Sequence, residues 1–538
     1  MSKIILNTKE EKAPFFKGMN KLADAVTNTM GYAGKQSVIS KGWGAVVEST
    51  KDGYYTANNI QFHDWVEDAG AKLLKDNAKK TADYVGDNTT TVTLLTQFMI
   101  NEGIKAVEEG ANPRKVKEGI DSAVKIVLEY LDSISLKIAD KDDKKIFDVA
   151  TISANNDEVI GKLIADAYKK IGLNGRLEIE ESTKEETVID VIAGAEIQKG
   201  FLNDAWINDK TKMIVNYENP VFMVYNYDLM KLIDLEPFLR NIQSQNGGNL
   251  AGVPIVIYAN DFGAEVTDSL LLNNVRGGTC FVCLKPPTSY RTENMQDICK
   301  ITGATMITIE NGLTPAQAEY KHIGKAKRIK SNNFTTTIIG GEGDALLFQQ
   351  HIAELTVLAN DAKQPEVKEV LEKRISLISG SVGVIKVGGA TPVEAKERKD
   401  RIEDAVRATK CAIEEGILVG GGKAMILAQG ELNLSPYNTP ELQGVDLVFN
   451  SLQQPLSKMC ENANINKESI IKNVRGCSKD EGYNFKTEKI ENLIEAGVID
   501  ATKVVKNAIL NASSVAGQII TAGSFIIEVP ETQIGKYE

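Results

Sequence analysis

The chain has 538 residues and a mass of 58.6 kDa, enough for about three to four domains at roughly 150 residues each. Apolar residues make up 42% and charged residues 25%, which excludes a disordered chain, a collagen-like fibre and a disulfide-rich toxin. With 62 basic against 73 acidic residues the net charge is -11, and an acidic surface argues against sequence-independent nucleic-acid binding.

In chain order, the first third reads as helical. A helix is expected over about residues 16–29, with Met19, Leu22, Ala23 and Val26 on one face and Gly31 as its stop. Asn112-Pro113 opens another, carried on by Ile120, Val124, Val127, Leu128 and Leu131. Near Ile134 the pattern changes, and strands are expected at Leu177–Glu180, Thr187–Ile192, Val221–Tyr225 and Pro254–Tyr258 with helices between them. Gly380-Ser-Val-Gly383 leads into the strand Val384–Val387. A long charged helix then runs from Thr391 to Gly416, and helical character returns. The two ends are alike and the middle reads as an insertion, so both termini are expected in one domain.

No apolar run reaches the roughly 18 residues of a membrane helix, and Met1–Lys12 has no apolar signal core. The expectation is a cytoplasmic protein without membrane contact. Three scattered histidines, His63, His322 and His351, make a His-rich zinc site or a Ser-His-Asp hydrolase a poor fit. Of six cysteines, Cys280 and Cys283 form a CxxC inside an apolar run. A redox pair belongs at a helix N-terminus, so these read as small strand residues in a reducing compartment.

Four segments carry chemistry. Gly86-Asp87-Asn88-Thr89-Thr90-Thr91 precedes an apolar helical run. Free N–H groups at a helix start, with threonine hydroxyls beside them, cradle phosphate, and Asp87 could hold Mg2+; a plain threonine-rich cap is the alternative. Gly420-Gly421-Gly422 lets backbone approach a ligand, but Lys423-Ala424 follows, so it is not a Walker A loop; a flexible turn is the alternative. Thr50-Lys51-Asp52-Gly53 is a turn signal by itself. Asp404, on the charged helix, is a solvated residue unless its helix swings over a γ-phosphate, where a carboxylate would orient the attacking water.

These pieces, in this order, resemble the group I chaperonins of the GroEL type, from about Lys17 to Phe525. The phosphate loop resembles that family's Gly-Asp-Gly-Thr-Thr-Thr, Thr151–Asn155 resembles its Thr-Ile-Ser-Ala-Asn segment, and Cys411–Gly422 resembles its signature with Cys411 in place of alanine. Gly482-Tyr-Asn484 and Gly497-Val-Ile-Asp500 match as well. The resemblance implies a multidomain α+β chaperonin fold in three nested parts. A mostly helical equatorial domain would be residues 1–134 and 415–538. A small α/β intermediate hinge domain would be 135–192 and 383–414, and an inserted α/β apical domain 193–382.

It also implies roles. Thr29, Met30 and Gly31 would line the nucleotide and a potassium ion, with Lys51 and Gly53 beside them. Asp87 would be the Mg2+ ligand, with Asn88, Thr89, Thr90 and Thr91 at the phosphates. Gly421, Asn484 and Asp500 would meet base and ribose. Asp52 and Asp404 would serve ATP hydrolysis, Asp404 arriving by closure of the hinge. The implied function is ATP-driven folding of non-native polypeptides in a homo-heptameric ring, with a chaperonin-like holdase or decoy of weak ATPase as the alternative. An ATPase acting on a small molecule is the more distant rival.

The departures from the family are specific. Tyr32 replaces a proline, and Asn88 replaces a glycine, where asparagine tolerates a positive φ. Phe201, Trp206, Leu239, Leu271 and Leu272 keep the apolar character of the client groove, whereas Ala205, Glu236 and Thr267 lose it. The resemblance leaves a co-chaperonin open. Glu109 replaces a small apolar residue between rings, and like charges near 4 Å repel by about 1 kcal/mol even in water. Ser457 and Asn466 replace an Arg and a Glu that pair. The expectation is a weakened or absent double ring. The chain also ends at Gln533–Glu538 without the family's Gly-Gly-Met repeats.

Overall fold

A computed structural model describes residues 2–530 except 41–47, 142, 174, 183–184, 211, 246, 249, 289, 363, 380 and 433–439. The tail at 533–538 and the turn residue Gly380 therefore lie outside the described residues. The chain forms two compact units, Met1–Asp166 with Thr391–Glu538, and Ala167–Ala390. The first unit contains both ends of the chain and the second is inserted.

The first unit is built from helices whose starts are written in the sequence. Thr8 and Glu11 form a capping box that begins the helix Lys9–Thr27, earlier than the periodicity alone suggested. Asp64 caps Trp65–Val85, and Asn112 caps Pro113–Ser133 with proline at the first position. Thr391 caps Pro392–Glu415, which ends at Gly416. Met19, Leu22, Leu95, Ile120, Val127 and Ile509 share one buried core. Among the described residues four two-stranded sheets complete this unit: Ser2–Leu6 with Phe525–Val529, Ser37–Ile39 with Glu48–Thr50, Ile417–Val419 with Ile499–Ala501, and Glu481–Asn484 with Lys489–Asn492.

The second unit holds, among the described residues, a nine-stranded sheet. Arg176–Glu181 pairs parallel with Ser381–Val387, which pairs antiparallel with the first half of Val188–Ile197. The second half of that strand, from Gly194, pairs instead with Thr336–Gly341. The sheet continues through Gly324–Ser331, Val221–Leu229, Pro254–Phe262 and Cys280–Leu284. Cys280 and Cys283 thus lie on a strand, and Cys283 is buried. Among the described residues no helix is long and apolar enough to cross a membrane.

Candidate nucleotide site

The phosphate-loop segment has the backbone its residues predict. Gly86 ends the helix Trp65–Val85 at φ 76°, and Asn88 sits at φ 62°, ψ 24°. Asparagine is among the few side chains that enter this left-handed region readily, so the loop keeps its turn without the family's glycine. The helix Thr89–Glu108 then starts with no side-chain cap, unlike Lys9–Thr27, Trp65–Val85 and Pro113–Ser133. Its Asn88 side chain instead accepts a hydrogen bond from the Thr91 hydroxyl at 3.1 Å. An uncapped start aims N–H groups and the positive end of the helix dipole outward.

Three other segments converge on this start. Gly53 backs onto it so closely that a Cβ there would lie 2.2 Å from Thr90 Oγ1. The preceding Asp52 caps the short helix Gly53–Asn58 by accepting from Tyr55 N–H, and Lys51 Nζ donates to the Tyr32 carbonyl at 3.3 Å. The helix Pro392–Glu415 packs against Gly86, where a Cβ would meet Arg407 Cβ at 2.4 Å, and Arg407 Nη1 donates to Ala82 O at 3.0 Å. Cys411 lies against Val85 O, filling the position where the family has alanine. Asp404 lies one turn before Arg407 on that helix, near enough to Asp52 and Asp87 for their charges to act on it. The strand Ile499–Ala501 pairs with Ile417–Val419, setting Asp500 opposite Leu418 beside the glycine turn. In that turn Gly421 (φ 61°) lies against Tyr483 O, where a Cβ would be at 3.5 Å.

Burial raises the proton affinity of each of these carboxylates, and several of their charges act on one another. Burial raises the proton affinity of Asp87, Asn88 N–H and the Ser153 hydroxyl oppose it, and the charge of Asp52 adds to it. Asp404 is raised well above the usual carboxylate range, by burial and then by Asp52, with Asp87 contributing and Arg407 opposing. Asp500 is pushed up to about 7 by burial and by Asp87. Asp52 is raised by burial against the pull of the Tyr54 and Tyr55 N–H groups. Such a cluster is relieved by a cation. Among the described residues no three His, Cys, Asp or Glu side chains converge as a preformed ligand set. Mg2+ held with a nucleotide takes one or two carboxylates and completes its shell with phosphate oxygens and water, so Asp87 fits that group.

The remaining predicted residues are placed differently. Thr29 and Met30 are buried, the Thr29 hydroxyl donates to Val26 O at 2.8 Å, and Met30 O accepts from Asn462 at 2.9 Å. Gly31 takes φ 81° next to Met459. The Asn484 amide is engaged within its own hairpin, donating to Glu491 at 2.6 Å and accepting from Lys486 N–H at 2.9 Å. Ser153 was missed: its hydroxyl donates to Asp87 Oδ2 at 2.8 Å. The Thr-Ile-Ser-Ala-Asn segment was the signal that could have found it.

The sequence matches the profile of the TCP-1/cpn60 chaperonin family over residues 22–234 and 249–529. The chain belongs to that family. Its fold is shared with the chaperonin gp146 from the bacteriophage EL 2 (Pseudomonas aeruginosa), in two crystal forms obtained in the presence of ATP-BeFx. Crystal form II gives a TM-score of 0.71 at 21% identity, covering 98% of this chain and 100% of the other. Crystal form I gives 0.66 at 21%, covering 98% and 99%.

In the chaperonin's second unit the expected apolar groove divides. Phe201 and Trp206 are core residues, 7% and 2% exposed, and offer no surface to a partner in this conformation. Both belong to the buried core of this unit, where large aromatic rings bury much apolar area. Leu239 and Leu271 are half-buried against the same core. Leu272 is exposed, and so are Val275 on the same helix Ala264–Gly277 and Met230 and Ile233 on the segment before the helix Glu236–Gln245. The last three were not anticipated. Glu236 is ion-paired with Arg240 at 2.5 Å. Ser457, which stands in place of the family's arginine, is buried and its hydroxyl donates to Gln453 O at 2.9 Å. Asn466 caps the helix Lys467–Gly476, and Glu109 is exposed.

Proposed function

We propose that this chaperonin binds and hydrolyses ATP with Mg2+ and uses the cycle to assist the folding of non-native polypeptides. The observation that carries it is the uncapped start of Thr89–Glu108, with Asp87 in the turn before it and Gly53, next to Asp52, packed against Thr90. The phage chaperonin of the same fold, crystallised with ATP-BeFx, supports the choice of nucleotide. Thr89, Thr90 and Thr91 would donate N–H and hydroxyl groups to the phosphates. Asp87 would hold Mg2+, which supplies charge neutralisation at the phosphate oxygens. Asp52 and Asp404 would orient a water in line with the γ-phosphate, and the raised proton affinity of Asp404 suits it to accept that water's proton. Gly421 and Asp500 would border the ribose, and Thr29–Gly31 a potassium ion.

The three-domain division, 1–134 with 415–538, 135–192 with 383–414, and 193–382, belongs to the same proposal. Exposed Leu272, Val275, Met230 and Ile233 are the apolar surface for clients, with Leu239 and Leu271 behind them. The ring is supported by two of the small sheets of the first unit, Ser2–Leu6 with Phe525–Val529 and Ser37–Ile39 with Glu48–Thr50. A two-stranded sheet is marginal alone, and here Ile5, Ile526 and Val38 are 57%, 65% and 72% exposed, as edges awaiting a partner would be. A seven-membered ring in the cytoplasm is the proposed setting. Asp404→Ala is the test: steady-state ATPase should fall by at least tenfold while nucleotide still binds. Unchanged ATPase in that variant overturns the hydrolytic roles and favours the holdase reading.

A further inference from the structure

The helix Lys144–Ser153 meets the candidate site at its last residue and at its middle. At its last residue, the Ser153 hydroxyl donates to Asp87 Oδ2 at 2.8 Å. One and a half turns earlier, Asp148 is buried against Gly497, where a Cβ would meet Asp148 Oδ1 at 2.8 Å. Gly497 stands two residues before the strand that holds Asp500. The exit from the helix is fixed as well. Asn155 and Asn156 take φ 58° and 64°, and their N–H groups donate back to Ile152 O and Thr151 O. Two consecutive left-handed residues reverse the chain tightly, so Ser153 cannot shift without its helix. Asp157 then pairs with Arg401 at 3.1 Å, on the same long helix as Asp404.

The geometry around Asp87 gives this contact its meaning. A carboxylate has about four acceptor positions. Here Oδ1 accepts from Asn88 N–H and Oδ2 from Ser153, one donor each. The remaining positions are open to a cation, in a plane set by two donors. One donor belongs to the phosphate loop itself. The other belongs to a helix that sequence places in the hinge.

We infer that Ser153 is a positioning residue for Asp87, one that ties the orientation of the cation-binding carboxylate to the position of the helix Lys144–Ser153. The inference rests on the ATP–Mg2+ reading above and extends it to coupling. Because coupling is reciprocal, a cation and nucleotide at Asp87 stabilise the docked helix, and the docked helix sharpens the cation site. Ser153 does not touch phosphate; it acts through Asp87.

The test uses the full-length protein with a nonhydrolysable ATP analogue, titrated with Mg2+ and separately in excess EDTA. A hydrogen bond to a charged group is worth enough that its loss changes an equilibrium by about tenfold. Ser153→Ala should raise the Mg2+ concentration for half-maximal nucleotide binding by about tenfold while leaving metal-free binding unchanged. Ser153→Thr, which keeps the hydroxyl, should restore it. In parallel, hydrogen exchange of the amides in Lys144–Ser153 should slow on adding Mg2+ and analogue to the wild type and the threonine variant, and not to the alanine variant. Equal Mg2+ dependence and equal protection in wild type and Ser153→Ala overturn the positioning role while leaving the ATP reading standing. Absence of Mg2+-dependent binding in the wild type overturns both. A Ser153→Ala effect of the same size with and without Mg2+ marks a structural role only and also overturns the inference.

Discussion

Gly53 and Asp500 show how single residues set this site. At Gly53 the demand is space, since a methyl group would sit 2.2 Å from Thr90 Oγ1 in a backbone that is not otherwise strained. Gly53→Ala is expected to keep the fold and push the Thr90 hydroxyl off its position, lowering nucleotide affinity about tenfold or more by calorimetric titration. At Asp500 the demand is electrostatic. Its folded value of about 7 lies above the ordinary 3.8, so between those values the folded chain holds a proton that the unfolded chain has lost. Stability is therefore greatest below about pH 4 as far as this group is concerned, and its contribution is lost as pH rises through 7. Asp500→Asn should raise the melting temperature of the nucleotide-free protein by a few degrees at pH 8, change it little at pH 5, and flatten the profile between. Most of these residues were legible as a motif, and Asn88 was legible down to its positive φ. Asp404 was legible only as a conditional candidate, because the packing of its helix against the loop is made by Gly86 and Arg407, 321 positions apart in sequence. Ser153 lay in a legible segment, but its bond to Asp87 was not legible, because a hydroxyl's partner is set by tertiary approach and not by its neighbours in sequence.

The strand Arg176–Glu181 carries charges on alternate residues, and the sheet gives each a partner. Glu178 accepts from Arg176 at 3.0 Å and from Lys330 at 2.7 Å, Glu180 pairs with Arg328, and Arg176 pairs with Glu196. These pairs bridge the stretch where Val188–Ile197 changes partner, between Ala193 and Gly194. They thus brace a place where the sheet's pairing changes. Burial works against the charge of Glu178, but Arg176 and Lys330 outweigh it and hold the carboxyl below its usual range. Removing one partner of such a buried group leaves a cation unmatched, at a cost of about 3 kcal/mol. Glu178→Gln should lower the urea midpoint of the second unit, followed by the fluorescence of Trp206, which is 2% exposed. Replacing Glu178 and Lys330 together by methionine should recover most of the loss, because the paired charges are then removed as a pair. At this scale the sequence was read well where period and caps agree, as at Asn112-Pro113, and strand positions were right to a few residues. Phe201 and Trp206 were misplaced because apolar character fits a core and a groove equally; only the packed sheet decides between them.

At the scale of the whole molecule, the nested order of the two units was legible from composition alone, whereas the assembly depends on a few surface residues. Three positions suggested a weakened contact between rings: two lack the charges of a pair, and one adds a charge of its own. Ser457 is buried, and Asn466 is occupied as a helix cap. Glu109 remains, exposed at the end of Thr89–Glu108 and next to Glu108, whose carboxylate is paired with Lys9 at 2.6 Å. If rings met at this point as they do in the family, each contact would bring two such carboxylates together, and a repulsion of about 1 kcal/mol would recur around the ring. Native mass spectrometry with and without ATP and Mg2+ should therefore give a seven-subunit mass of one ring. Raising the ionic strength screens exposed charges within about 3 Å at 1 M salt, so a fourteen-subunit species should appear there if charge is what keeps rings apart. Glu109→Ala should favour the same species at low salt. A fourteen-subunit mass for the wild type at low salt would keep the chaperonin function and remove the role given to Glu109. A monomer under every condition would instead detach the fold from ring assembly, and the exposed edges at Val38, Ile5 and Ile526 would need another partner.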